Sequence, residues 1–250
     1  YKYTGISAND IDTITSELFN AQSVSLIYAS DNISETHINN YVNSIIDLTI
    51  VTQNVFVENG GFYPLSQGSN QQGIIDMGCR SEVLPGHKLI TNKDSVDNLI
   101  DKWGVDKLNT NSFDYNEFAN LHRNGNLKNI FVIGDIESFA ENHILLDDQL
   151  SSNIDYLITI SPSPSVLLHE MSDYIIPTTL HTEEIGTFTN LERRIQITDA
   201  VIPTSGDVSP IWHVISQIAS NLGSTIFNYT NSSDVMNEIS AEINQYNEIS

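Results

Sequence analysis

Short, almost continuous apolar runs constrain this chain more than any other feature. They are 129–134 (Asn-Ile-Phe-Val-Ile-Gly), 156–160 (Tyr-Leu-Ile-Thr-Ile) and 174–176 (Tyr-Ile-Ile). A strand with one solvated face alternates apolar and polar residues, whereas a strand buried on both faces is apolar throughout. Runs of this kind separated by helical patterns indicate parallel strands. We therefore predict an α/β fold of the doubly wound type, with mostly parallel sheets and helices on both faces.

Helical patterns flank these runs. A strand over 24–29 is followed by a helix over 35–46, whose apolar residues fall on one face. Near the other end, Ser209 is a suitable cap and Pro210 suits a first helical position. The apolar stripe predicted for that helix is Trp212, Ile215, Ile218, Ala219 and Leu222. A last, acidic amphipathic helix is expected from Asp234 to about residue 243.

Composition excludes several classes of function. The formal net charge is −22, from 32 acidic and 10 basic residues, so the Lys and Arg stripes that neutralise nucleic acid phosphates are missing. No apolar run approaches the roughly 20 residues that cross a bilayer. Cys79 is the one cysteine, so this chain cannot hold a four-iron cluster by itself. The seven histidines show no metal-ligand spacing, and a hydrolase's Gly-x-Ser-x-Gly or His-Glu-x-x-His motif is missing.

Three blocks of the chain occur in a recognisable order. Residues 68–86 contain Asn-Gln-Gln-Gly-Ile-Ile-Asp-Met-Gly and then Leu-Pro-Gly, residues 183–196 read Glu-Glu-Ile-Gly-Thr-Phe-Thr-Asn-Leu-Glu-Arg-Arg-Ile-Gln, and residues 203–223 combine Pro203, Gly206 and Trp212. Together they resemble stretches of the molybdopterin oxidoreductase superfamily, which includes formate dehydrogenase large subunits and the large peripheral-arm subunit of respiratory complex I. A polar turn between two strands is the alternative explanation for residues 183–196 alone.

The resemblance implies a domain organisation. Residues 1–66 would form a first α/β unit, and 67–177 with 207–230 a second one. Residues 178–206 would extend to pair with an N-terminal iron–sulfur domain outside this sequence, and 231–250 would form an acidic tail helix. The residues expected at that partner interface are Glu183, Gly186, Asn190, Glu192, Arg193 and Arg194. An ion pair with Glu183 or Glu184 is the alternative role for the two arginines.

The resemblance also gives candidate cofactor contacts, which are Gln72, Gly73, Asp76, Gly134 and Asp173. Three other family positions have changed here. Ser66 stands where formate dehydrogenases have an arginine beside the metal, Ile136 replaces a polar residue that reads the guanine edge, and Pro162 occupies part of a Gln-Asp pair. These changes predict a pocket that has lost its cofactor. The resemblance assigns no catalytic or metal-ligating residue to this chain.

Two functional hypotheses follow from this resemblance. The first is a non-catalytic, cofactor-free C-terminal portion of the large peripheral-arm subunit of complex I (NADH:quinone oxidoreductase), which supports an iron–sulfur half and other respiratory subunits. It implies a peripheral location, on the matrix side of the inner mitochondrial membrane or the cytoplasmic face of a prokaryotic one. The alternative is a formate dehydrogenase alpha subunit that lines a pocket for molybdopterin guanine dinucleotide with Mo or W, with iron–sulfur clusters on the missing half.

Overall fold

A computed structural model describes residues 3–29, 35–55, 57–65, 68–134, 154–164 and 166–247. The chain divides into two compact units. The first consists of Tyr1–Gln71 with Thr189–Arg194, and the second consists of Gln72–Phe188 with Ile195–Ser250. The predicted extension 178–206 is thus divided between the two units, and the tail helix belongs to the second one. In the parts of the chain that the structure describes, no helix has the length and apolar character needed to span a membrane.

The first unit is a small βαβ arrangement. It contains α1 (Ala8–Asn20), β1 (Ser25–Ala29), α2 (Glu35–Val51) and β2 (Gly61–Leu65). The two strands pair in parallel, from Ser25 opposite Gly61 to Ala29 opposite Leu65. Buried Asn54 fixes the start of the pair, because its Oδ1 accepts the Val24 N–H at 2.6 Å. The predicted strand and helix are both present, although α2 runs further than predicted.

Helix α1 has a well-defined start but an exposed apolar side. Ser7 caps it, since its hydroxyl accepts the Asp10 N–H and the Asp10 carboxylate accepts the Ser7 N–H. None of its residues is buried, and Ile11, Ile14 and Phe19 are all exposed. The local sequence therefore specifies this helix more strongly than packing does.

The second unit contains the remaining elements. In chain order they are α3 (Gln71–Asp76), β3 (Val83–Leu84), a 3-10 turn (Pro85–His87), β4 (Lys88–Leu89), α4 (Lys93–Trp103), α5 (Tyr115–Arg123), β5 (Asn129–Ile133), β6 (Tyr156–Ser161), α6 (Val166–Met171), β7 (Tyr174–Pro177), β8 (Gly186–Thr189), β9 (Ile195–Thr198), α7 (Ile211–Asn221), α8 (Ser232–Glu242) and a second 3-10 turn (Asn244–Tyr246). Gln71 and Thr189, at the ends of α3 and β8, are grouped with the first unit.

Strands β5, β6 and β7 form the central sheet of this unit, in that order and all parallel. Its core consists of Ile130, Val132, Leu157 and Leu168. Strand β6 is buried on both faces, as its apolar sequence predicts, whereas β5 alternates between buried residues and the exposed Phe131 and Ile133. The α/β fold with parallel strands is thus confirmed. Within the described residues, β5 has one buried face and one exposed face.

The helix near residue 210 differs from its prediction in two respects. Pro210 is the N-cap, and Ser209 makes no cap because its carbonyl accepts the Thr179 N–H while it bridges Thr178 as an extended residue. The apolar stripe is also displaced. Val214 and Ser216 are the buried residues of α7, whereas Leu222 is 84% exposed. Helix α8 begins at Ser232, with Asn231 and Asp234 forming a capping box.

Candidate functional site

The carboxyl ends of the three parallel strands meet at one edge of the second unit's sheet. Gly134 follows β5 and donates its N–H to the Ile160 carbonyl at 3.0 Å, while Thr178 follows β7 and donates to the Ser161 carbonyl at 3.3 Å. In open α/β sheets, ligands bind beyond this edge because the loops that leave the strands converge there. Gly134, Ser161 and Thr178 therefore mark the first candidate site.

Side-chain hydroxyls are concentrated at this edge. Ser161 is fully buried, and its Oγ accepts the Ser163 N–H at 3.2 Å. Thr178 and Thr179 are both buried as well. The Thr178 Oγ1 has no hydrogen-bond partner among the residues that the structure describes. Because a buried polar atom without a partner is costly, this hydroxyl is suited to bind a ligand with donors or acceptors of its own.

Gly134 provides a backbone approach to the same edge. Its φ of +116° lies in a region that residues with a side chain rarely adopt. Among the described residues, no heavy atom lies within 4 Å of the position that a Cβ would occupy. Conformation, rather than crowding by the described residues, therefore explains the glycine at the end of β5.

Of the three changed family positions, only Pro162 lies among the described residues. Pro162 directly follows β6, where it offers no N–H donor to the edge. Ser66, Ile136 and the rest of the predicted turn after Gly134 lie outside the described residues. Their proposed consequence, the loss of the cofactor, stays a prediction.

Asp173 lies at the opposite end of the strands. Its Oδ2 accepts the Leu157 N–H at 2.8 Å, and its own N–H donates to the Leu157 carbonyl at 2.9 Å. Leu157 and Ser161 are four positions apart on β6, which corresponds to about 13 Å along the strand. The structure therefore does not bring Asp173 together with Gly134, and its carboxylate stabilises the entry to β6.

Gln72 and Asp76 form a second, separate group with two residues that the sequence did not single out. Asp76 is only 3% exposed. Its Oδ1 accepts from Gln72 Nε2 at 2.8 Å and from His87 Nε2 at 2.6 Å, and its Oδ2 accepts from the Tyr246 hydroxyl at 3.0 Å. Gly73, also predicted as a cofactor contact, is buried in the same helix.

This arrangement decides what Asp76 can do. Three side-chain donors from three segments bond to the two oxygens of its carboxylate, so Asp76 is held firmly within the fold. It instead fixes the amide of Gln72 and the ring of His87, whose side chain is 33% exposed. His87 has a φ of +60°, a conformation uncommon for a residue with a side chain. The Asp76 cluster, defined as Asp76, Gln72, His87 and Tyr246, therefore acts as a structural tie.

The residues predicted for a partner interface fall into two sets. In the second unit, Glu183 accepts the backbone N–H groups of Leu180 and Ser205 at 2.9 and 3.1 Å. Gly186 begins β8, and its carbonyl accepts the Thr198 hydroxyl at 3.4 Å.

The other predicted interface residues lie in the 189–194 segment of the first unit. Asn190 accepts the Arg194 N–H through its Oδ1 at 3.0 Å, and Arg193 has a φ of +61°. Arg194 Nε lies 3.3 Å from Glu192 Oε2, with side chains 75% and 59% exposed. Arg194 thus has an ion-pair partner within its own segment, and an exposed pair of this kind adds little stability.

Some of these contacts could be expected from the sequence and others could not. Thr178 and Thr179 directly follow β7, and that position relative to a parallel strand is itself a signal for a ligand site. Tyr246 reaches Asp76 across 170 positions of sequence, and no local pattern indicates such a contact.

The comparisons with known proteins agree on one family. The model of the family described as "Molybdopterin oxidoreductase" matches residues 6–221. The protein named "Putative formate dehydrogenase YrhE" from Bacillus subtilis (strain 168) is 26% identical over 96% of this chain and 24% of its own length. The "F420-dependent formate dehydrogenase subunit alpha" of Methanocaldococcus jannaschii is 28% identical over 98% of this chain and 37% of its own length.

The chain therefore spans about a quarter of the first relative and somewhat more than a third of the second. The family match, by contrast, covers most of the chain and includes both α/β units. It also agrees with the parallel strands of each unit. This chain belongs to the molybdopterin oxidoreductase family.

Proposed function

We propose that this chain is part of the alpha subunit of a formate dehydrogenase-type oxidoreductase, in which its second unit helps to bind a molybdopterin guanine dinucleotide with Mo or W. Family membership supports an oxidoreductase, and relatives named formate dehydrogenase support the substrate. Their names favour the formate dehydrogenase hypothesis over the complex I hypothesis, which the comparisons do not support. Iron–sulfur clusters and further subunits are proposed as the partners.

The buried hydroxyl of Thr178 is the observation that carries this proposal. A chain with no ligand at this edge would gain nothing from an unpaired polar atom there, whereas a bound dinucleotide offers it phosphate, ribose or pterin groups. Ser161 and Ser163 supply further hydroxyls, and Gly134 gives backbone access. The residues at the edge thus fit a large polar cofactor.

The chain's own contribution would be binding and orientation. The hydroxyls of Thr178, Ser161 and Ser163 would hold polar groups of the cofactor, and the Asp76 cluster would keep α3 in place. The cofactor itself, when bound, supplies the metal that takes up the electrons of the oxidation. No described residue at the edge is an acid or base suited to proton transfer, so we assign no general acid or base among the described residues of this edge.

The test begins with protein purified natively together with its partners. Elemental analysis should find Mo or W, and mass spectrometry should find a guanine dinucleotide of the pterin after its release. Formate should then reduce an artificial electron acceptor. Absence of both pterin and metal, with iron–sulfur and membrane-arm subunits of an NADH:quinone oxidoreductase co-purifying, would contradict the proposal.

A substitution at Thr178 tests whether the pterin binds at the carboxyl edge of the sheet. Thr178→Val removes the hydroxyl while keeping the shape, and we expect a several-fold fall in pterin content per polypeptide. The matched control is Thr159→Val, because Thr159 is a fully buried threonine of the same sheet whose hydroxyl already bonds to Ser172 Oγ at 2.7 Å. Equal pterin content in Thr178→Val and wild type would remove Thr178 from the site.

A further inference from the structure

A pocket lies in the second unit, lined by residues other than Gly134, Ser161, Ser163 and Thr178. It has a volume of about 400 Å³ and lies between β8, β9, α7 and α8. Its apolar walls consist of Ile185, Ile197, Trp212, Val235, Met236 and Ile239. Pockets of this size and lining are those that bind small organic molecules. None of the residues proposed to hold the dinucleotide lines it.

One carboxylate, that of Glu184, also lines this pocket. Its Oε2 is buried, and no donor in the described part of the chain has hydrogen-bond geometry toward it, although the Thr179 hydroxyl lies near the carboxylate. Burial raises the pKa of Glu184, and repulsion by Glu183 adds to the rise, while the Thr179 hydroxyl and His181 oppose it. The ionised form of Glu184 is thus poorly compensated in the chain as it stands.

The neighbouring Glu183 differs from Glu184 in this respect. Both of its carboxylate oxygens accept backbone N–H groups, from Leu180 and from Ser205. The acidic groups of α8 are engaged as well, since Asp234 bonds to Thr230 and Asn231, and Glu238 bonds to Trp103 and Tyr229. Among the described residues, Glu184 is therefore the charged group at this pocket whose carboxylate lacks a well-placed hydrogen-bond donor.

We propose that this pocket binds a small organic amine, with the apolar part of the ligand between Trp212 and α8 and its ammonium group beside Glu184. A cation would supply the donor that the buried carboxylate oxygen needs, and the apolar walls would strengthen that pairing by excluding water. The net charge of −22 favours a cation over an anion. A neutral ligand would leave the Glu184 charge uncompensated.

The proposal goes beyond family membership. The matched region ends at residue 221, whereas the six residues of α8 that line the pocket, from Ser232 to Ile239, lie after it. The dinucleotide site and the amine site are also built from different residues, so each can fail without the other.

The experiment compares two probes of the same shape. Hexylamine and 1-hexanol are titrated into this chain at neutral pH and followed by isothermal titration calorimetry and by NMR. We expect hexylamine to bind at least tenfold more tightly than hexanol. Glu184→Gln should bring the two affinities to within about twofold of each other, whereas Glu183→Gln, which removes the same charge one residue away, should keep most of the preference.

Acidification gives an independent readout. Hexylamine needs ionised Glu184, and because the pKa of Glu184 is raised, protonation begins at a higher pH than for an ordinary glutamate. The preference for the amine should therefore decline as pH falls through that raised pKa. His181 and Glu183, which also influence Glu184, make the Glu183→Gln and His181→Ala variants the controls for the position of this decline.

Other results would overturn the proposal. They are the failure of either probe to bind at millimolar concentration, equal affinity for the amine and the alcohol, and loss of the preference in Glu183→Gln to the same extent as in Glu184→Gln. Binding of hexylamine to this chain but not to the natively purified assembly would also overturn it, because the pocket would then be filled by another protein segment.

Discussion

Buried polar groups in the second unit differ in their hydrogen bonding between the Asp76 cluster and the carboxyl edge of the sheet. Around Asp76, three donors bond to a single carboxylate, so its charge is compensated within the fold. At the sheet edge, Thr178 is equally buried and yet has no partner within the described residues. A polar group that is buried and satisfied holds the fold together, and one that is buried and unsatisfied indicates binding.

Removal of the Asp76 carboxylate should have the largest effect on stability. Asp76→Ala leaves three donors without an acceptor in a buried site, and we expect a loss of about 3 kcal/mol in the free energy of unfolding. Urea denaturation followed by circular dichroism measures it. Asp97→Ala is the control, because Asp97 pairs with Lys93 at an exposed position of α4 and should cost less than about 1 kcal/mol. Equal losses in the two variants would contradict the assigned role of Asp76.

Tyr246→Phe should have a smaller effect, since it removes one of the three donors and keeps the ring. We expect a loss of about 1 kcal/mol. The change should also increase hydrogen exchange in the 3-10 turn Asn244–Tyr246 more than elsewhere, because the hydroxyl ties this turn to α3. A uniform rise in exchange along the chain would show that the bond does not hold the turn locally.

The two buried threonines of the sheet should behave differently. Thr159→Val breaks a bond to Ser172 and should destabilise the chain by about 1 kcal/mol. Thr178→Val removes a hydroxyl that has no partner in the described structure, so we expect stability within about 0.5 kcal/mol of wild type, or slightly higher. The comparison is made in the absence of cofactor by urea denaturation. A larger loss of stability in Thr178→Val than in Thr159→Val would mean that the Thr178 hydroxyl already makes a stabilising contact within the chain.

Parts of this fold can be predicted from the sequence because they depend on local or periodic signals. The parallel strands 129–133 and 156–161 follow from unbroken apolar runs. The last helix was expected from Asp234, and the capping box of Asn231 and Asp234 starts it two residues earlier, at Ser232. The buried stripe of α7 was displaced from its prediction because tertiary contacts, and not helical period alone, decide which face of an apolar helix is covered. Leu222 is apolar and yet exposed for this reason.

The site was harder to predict than the fold. Gln72 and Asp76 are four residues apart on one helix, so their contact is expected. The resemblance assigns both residues to the cofactor, whereas the hydrogen bonds give Asp76 a structural role. Asp173 was placed with Gly134 by resemblance, although the direction of parallel strands puts a residue before β7 and a residue after β5 at opposite ends of the sheet. Strand direction is thus the physical information that a list of matched positions lacks.

The smallest effect should come from the ion pair in the 189–194 segment. Glu192 and Arg194 are exposed, so solvent screens their attraction, and Glu192→Gln should change the free energy of unfolding by less than about 0.5 kcal/mol. The segment nevertheless has a fixed backbone, because Asn190 bonds the Arg194 N–H and Arg193 adopts a left-handed conformation. Asn190→Ala should therefore destabilise the chain more than Glu192→Gln does, by roughly 1 kcal/mol in urea denaturation. If charge rather than backbone geometry maintained this segment, the order of the two variants would be reversed and high salt would remove the difference.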